Sequence, residues 1–285
     1  MFRPFALAFA LILAVTAAPA FAAPAPRAQS PAFAPTRFSV RVVGTGPDVI
    51  LIPGLAGSSD VWRGTVAAVP GYRYHLVQVA GFAGAPTRGN ARGPVVVPLA
   101  EEIYRYIAAN RLDRPALVGH SMGGIVAMKI AAAHPRSVGK VMVVDMQPQP
   151  AALVGSTAAG VRGLADMLRE LSGTPDGRWL VESAIRMFGV PENAKNRSDP
   201  DVVGRAAHEL ALTDLTSELS KIVAPLTVVY ASIDDRNRAM VDRSFRSAYA
   251  ARPGTRFVRI DHSGHMIMYE QPARFQEELR RFLVQ

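Results

Sequence analysis

The chain has 285 residues, 49% of them hydrophobic, which is enough apolar content for a full core and excludes disorder as the default state. It contains no cysteine, so disulfides, thiolate metal sites and a thiol nucleophile are all excluded. The formal net charge of +9 comes mostly from scattered Arg, with no run longer than Arg280-Arg281, so it reads as a soluble surface and not as a nucleic-acid-binding stripe.

The first 22 residues, "MFRPFALAFALILAVTAAPAFA", join an early positive charge at Arg3, an apolar run from Phe5 to Ala18 and the small pair Ala20 and Ala22. That layout predicts a secretory signal peptide cleaved after Ala22, because the run is shorter than the ~20 residues that span a bilayer. Residues 23–36 are rich in Pro and Ala and read as a flexible lead-in. The expected protein is therefore periplasmic or secreted, with no stable membrane insertion of the mature chain.

From residue 37 onward, short β-branched runs alternate with helical patterns, which predicts an α/β fold, a doubly wound and mostly parallel sheet covered by helices. "RFSVRVVG" and "DVILIPG" read as strands, the second too apolar to face water on either side. "DVWRGTVAAV" reads as a helix with Asp60 as its N-cap. "YRYHLVQVA" is a strand, the Gly-rich stretch after it a surface loop, and "PLAEEIYRYIAAN" an amphipathic helix with Leu99, Ile103, Tyr106 and Ile107 on one face. "PALVGH" is a strand and "GGIVAMKIAAAHP" a helix closed by Pro135; "VGKVMVVD" is the next strand.

The pattern then changes. Residues 146–222 carry helical periodicity without a convincing strand and read as an insertion lying over the sheet. Alternation resumes with the strand "APLTVVYAS", the helix "MVDRSFRSAYAA", the strand "TRFVRID" and the closing helix "QPARFQEELRRFLV".

Between a strand and a helix stands "VGHSMGG", with Ser121 flanked by Gly119 and Gly123. A serine hydroxyl is a poor nucleophile at neutral pH and needs a base in hydrogen-bond reach and a third group to orient that base. In an open α/β sheet these groups arrive on loops at the carboxyl ends of strands. His265 lies in such a loop, with His262 as a rival, and Asp234 or Asp235 lies in another. The chain order Ser121, Asp234, His265 is the order that a nucleophile elbow on this kind of sheet requires. An oxyanion formed on attack needs N–H donors, for which the Met122 N–H at a helix start and the turn past Leu55 in "LIPGLAGSS" are candidates.

These residues resemble the α/β-hydrolase superfamily over nearly the whole chain after the lead-in. "VGHSMGG" looks like its nucleophile elbow, "IPGLAGSS" is similar to its HGxxGS oxyanion loop, "YASIDD" to its GxxD acid loop and "SGHMIMYEQPARF" to its GHxxxxExPxxF ending. The resemblance implies Ser121 as nucleophile, His265 as base, Asp234 as acid and the N–H groups of Leu55 and Met122 as oxyanion hole. It also implies that the insertion is a helical cap. The sequence departs from the pattern at Pro53, where a histidine is usual, and at Ala231, where a glycine is usual. Asp145, which ends "VMVVD", is a second place where members of the family carry the acid; the register of the acid-loop pattern favours Asp234.

The expected activity is hydrolysis of a small-molecule carboxylic ester, with no metal and no cofactor. Carbon–carbon bond or thioester hydrolysis and cofactor-free perhydrolysis are alternatives on the same triad, and a non-catalytic binding protein is the alternative of another class. In the insertion, Met167, Leu168, Trp179, Ile185, Met187 and Phe188 are candidates for an apolar lid or for packing core. His120 is given no catalytic role, and His208 is expected to be structural.

Overall fold

The computed structural model describes residues 33–172, 174 and 197–285. The expected signal peptide, most of the lead-in, and Trp179, Ile185, Met187 and Phe188 lie outside the described residues, as does the side chain of Leu168.

Seven strands form one sheet: β1 (Phe38–Val43), β2 (Asp48–Ile52), β3 (Arg73–Val79), β4 (Ala116–His120), β5 (Lys140–Val144), β6 (Leu226–Ser232) and β7 (Arg256–Asp261). Their order is β1-β3-β2-β4-β5-β6-β7, with β1 antiparallel to β3 and every other pairing parallel. The described helices are α1 (Arg63–Ala68), α2 (Val96–Ala109), α3 (Met122–Ala133), α4 (Ala158–Ser172), α5 (Pro200–Ala211), α6 (Arg238–Ala248), α7 (Ile267–Glu270) and α8 (Pro272–Val284). This is the expected doubly wound, mostly parallel architecture.

Successive strand residues point to opposite faces, so a strand apolar at every position must be covered twice. Ile50 and Ile52 of β2, Leu117 of β4 and Val143 of β5 pack with α2 and α3 on one face. Their sequence neighbours Val49, Leu51, Val118 and Val144 pack on the other with Trp62, Phe275, Leu279 and Phe282. These three central strands therefore offer water no face, and only their carboxyl ends are left for chemistry.

Two local expectations change. The segment 59–68 is a 3-10 turn followed by α1, and its N-cap is Ser58, whose hydroxyl accepts from the Asp60 N–H at 3.1 Å. Asp60 instead pairs with Arg41 and Arg63. The serine, two positions earlier than expected for the cap, has the extended backbone that a cap requires.

The described part of 146–222 holds the helices α4 and α5 and two 3-10 turns. α4 and α5 lie side by side, joined by His208 Nε2 and Asp166 Oδ1 at 2.6 Å, which gives His208 the structural place foreseen for it. α5 is also fastened to the sheet domain. Its Glu209 carboxylate accepts the N–H groups of Val95 and Val96, the latter at 3.0 Å, at the start of α2. No side chain of the α2 N-cap itself makes such a bond, so the orphan N–H groups of α2 are satisfied from more than a hundred residues away. Arg205 bonds the Gly93 and Asn90 carbonyls beside them.

No helix among the described residues is long and apolar enough to cross a membrane.

Candidate active site

Ser121 sits between the last residue of β4 and the first of α3, at φ 53° and ψ −119°. That region is costly for any residue with a Cβ and persists only where the surroundings enforce it. Here they do. The Ser121 N–H is held by the Val144 carbonyl at 2.9 Å, and its own carbonyl accepts from Gly124 at 2.8 Å. A Cβ on Gly119 would stand 2.1 Å from the Gly123 carbonyl oxygen, and one on Gly123 would stand 2.3 Å from the Ile52 oxygen. The two glycines let strand and helix approach closely enough to make the turn, as the spacing predicts.

The base candidate arrives on the loop after β7. His265 Nδ1 lies 2.8 Å from Asp145 Oδ2, and its imidazole ring centroid lies 4.6 Å from that of His120, the residue before Ser121. His120 Nε2 is 2.9 Å from the His265 carbonyl oxygen. A carbonyl only accepts, so His120 Nε2 carries the hydrogen and donates it. Burial pushes the His120 pKa down to about 3, with the neighbouring His265 adding to the effect, so the ring is a neutral donor. Glu270 grips the same loop from below, accepting the Gly264 N–H at 2.6 Å and the Met266 N–H at 3.0 Å. The residues on either side of His265 and its own carbonyl are thus all held.

The carboxylate facing His265 is Asp145 and not Asp234. Asp145 follows β5 at φ 51°, and its second oxygen, Oδ1, accepts the Ala231 N–H of β6 at 3.0 Å. Asp234 is spent elsewhere. Its Oδ1 accepts the Asn237 N–H at 3.0 Å, capping a 3-10 turn, and its Oδ2 lies 3.4 Å from Arg236. Asp235 pairs with Arg238, and exposed His262 lies 3.6 Å from Asp235. Both rival residues of the sequence reading therefore belong to the surface beside the β6 turn. The expectation of Asp234 at the imidazole is corrected in favour of the strand-end aspartate, which lies one strand closer to Ser121.

Met122 follows Ser121 in the chain, and Leu55 follows Gly54 in the turn after β2. Met122 is the first residue of α3, where an N–H has no intrahelical acceptor. Leu55 lies in the turn after β2, closed by the Gly57 N–H on the Gly54 carbonyl at 3.0 Å. A Cβ on Gly54 would stand 3.1 Å from Ser121 Cβ, so this turn passes directly over the elbow. Ala231, at the usual glycine position, supplies only its backbone, and Pro53 supplies no donor. Among the described residues no group of three or more His, Asp or Glu is placed to hold a metal ion. Sequence reasoning assigned no role to Glu270, although the family pattern contained it, and it passed over the residues that hold the Leu55 turn.

A strained serine at a helix start, preceded by His120 whose ring packs on a second imidazole that meets a carboxylate, has the groups needed to move the serine proton as the hydroxyl attacks. The model of the alpha/beta hydrolase family matches residues 49–278. The chain is 29% identical over 262 residues to the pimeloyl-[acyl-carrier protein] methyl ester esterase of Aeromonas hydrophila, covering 86% of this chain and 98% of that protein. Its fold matches the enol-lactonase of Burkholderia xenovorans LB400 at a TM-score of 0.63 and 20% identity, covering 88% of this chain and 97% of that one. It matches the thermophilic esterase of Thermogutta terrifontis at a TM-score of 0.66 and 21% identity, covering 86% and 92%. The sheet order, the glycine-framed Ser121 and the match across most of its length make this chain a hydrolase of the alpha/beta hydrolase family.

Proposed function

We propose that the protein is an exported serine hydrolase that cleaves small carboxylic esters with Ser121 as nucleophile, His265 as base and Asp145 as the acid. The observation that carries this reading is the 2.8 Å contact of His265 Nδ1 with Asp145 beside the strained Ser121. In the proposed cycle, His265 Nε2 takes the Ser121 proton as the oxygen attacks the ester carbonyl carbon. The N–H groups of Leu55 and Met122 hold the resulting oxyanion. His265 returns the proton to the departing alcohol, leaving an acyl group on Ser121; it then deprotonates water, which releases the acid. Asp145 stays ionised and fixes the tautomer of His265.

The esterase names of the relatives support the choice of an ester over other acyl substrates. Export rests on the N-terminal 22 residues alone, and fractionation of the native host tests it: a mature chain beginning at Ala23 outside the cytoplasm is expected.

The decisive test of the chemistry is turnover of a p-nitrophenyl ester series, from acetate to long acyl chains. One chain length is expected to be preferred, and Ser121→Ala is expected to lose about 10⁴-fold or more in kcat. A folded wild type inactive on every ester would sink the ester reading and move carbon–carbon or thioester cleavage, or a non-catalytic binder, to the front.

A further inference from the structure

The Leu55 turn is held by a residue from outside the sheet domain. Ser198, buried just before α5, bonds two loops at once: its Oγ donates to the Ala56 carbonyl at 3.2 Å and accepts the Ala83 N–H at 2.9 Å. Its own position is fixed. The neighbouring Asp199 N–H bonds the Gly81 carbonyl at 2.8 Å, and Val202 of α5 fits so closely on Gly81 that a Cβ there would lie 2.8 Å from Val202 Cγ2. Glu209 and Arg205 tie the rest of α5 to the start of α2.

What the Ser198 bond does follows from the planarity of the peptide unit, in which C=O and N–H point in opposite directions. The Ala56 carbonyl shares its plane with the Gly57 N–H. That N–H bonds the Gly54 carbonyl at 3.0 Å. The Gly54 carbonyl in turn shares its plane with the Leu55 N–H. Fixing the Ala56 oxygen therefore fixes one plane, which fixes the next, and so sets the direction of the Leu55 N–H. The turn has reason to need this, because Ala56 sits at φ 56°, a conformation that an alanine does not hold by preference. Gln78 secures the far side of the same turn, with Oε1 on the Ser59 N–H at 2.9 Å, but it does not reach the Ala56 oxygen.

We propose that Ser198, at the foot of α5, is a positioning residue that aims the Leu55 N–H at the oxyanion through the Ala56–Gly57 and Gly54–Leu55 peptide planes. The inference rests on the reading of Ser121 as nucleophile and of the Leu55 N–H as an oxyanion donor. It gives the segment after residue 197 a part in the chemistry as well as in covering the sheet.

The test compares wild type, Ser121→Ala, Ser198→Ala and Ser198→Thr on the preferred p-nitrophenyl ester. It adds inhibition by a trifluoromethyl ketone carrying the same acyl chain, which forms an oxyanion adduct with an active serine. Ser198→Ala is expected to lower kcat about 10- to 100-fold with KM unchanged. It should weaken the ketone by a matching factor, while Ser198→Thr restores both. Wild-type kcat and ketone affinity in Ser198→Ala, with Ser121→Ala inactive, would overturn the inference and leave the triad reading standing. A raised KM and lowered Tm without selective loss of ketone affinity would also overturn it, since that is the mark of a residue that only holds structure. Retained activity in Ser121→Ala would overturn the underlying reading itself. Should Ser198→Ala fail to fold, Ser198→Cys keeps the volume, weakens the donor and is held to the same outcomes.

Discussion

Asp145 owes its position to one dihedral. A β5 continuing as extended chain would send the side chain of residue 145 off one face of the sheet; at φ 51° it reaches His265 with one oxygen and the Ala231 N–H with the other. Asp is among the few residues that enter this region at modest cost. Asp145→Asn keeps an acceptor for Ala231 but presents an amide where the imidazole N–H needs a carboxylate, so kcat is expected to fall about 10⁴-fold. Asp234→Ala should leave kcat unchanged and cost about 1 kcal/mol of stability through the lost cap. Steady-state kinetics and urea unfolding on the two variants separate the roles, and loss of activity in Asp234→Ala alone would reverse the assignment. The elbow turn at Ser121 was legible because glycine spacing is a local fact, and His265 was singled out by chain order and the ending motif. The sequence offered Asp145 only as the second place for the acid, because an aspartate ending an apolar strand carries no sign of a left-handed backbone, whereas "YASIDD" matched the acid-loop pattern and drew the preference to Asp234.

At the scale of elements, the strands were readable because each central one is apolar on both faces, and the paired core clusters are what that pattern requires. The start of α2 was not readable in the same way. Its cap comes from Glu209 on α5, and no local signal near Val96 points to a carboxylate so far along the chain. Glu209→Ala leaves the first N–H groups of α2 without their acceptor in a partly buried place, and is expected to lower the unfolding free energy by about 1–3 kcal/mol. Denaturant titration measures this directly. An unchanged midpoint would mean that water replaces the carboxylate at no cost and that α5 is not clamped through this bond. The same bond makes α2 and α5 a joint unit, so amide exchange at Val96 and at the α5 backbone should slow and quicken together across variants.

For the whole molecule, buried His120 couples folding to pH. Its folded pKa near 3 is below the unfolded value of about 6.5, so between those limits the unfolded chain binds more protons. Stability is complete above the unfolded value and is lost as pH falls, with a slope approaching about 1.4 kcal/mol per pH unit. Below about pH 4 a second loss begins. There Asp48, held down chiefly by its hydrogen bond from Arg73, and Asp261, held down by Arg259, must take up protons. Urea unfolding at pH 7, 5.5 and 4 should show the first decline, and His120→Gln should flatten it. An equally steep decline in that variant would place the linkage elsewhere. The turn after β6 stands apart from all of this. With the carboxylate that faces His265 supplied by β5, residues 233–237 carry no partner of the imidazole, and Ile233 there is 74% exposed. Where many enzymes of this architecture keep a residue they cannot spare, this one has a permissive seam: a peptide tag or reporter spliced between Asp235 and Arg236 should ride on the enzyme at full turnover, and so should chains that lengthen there by natural drift.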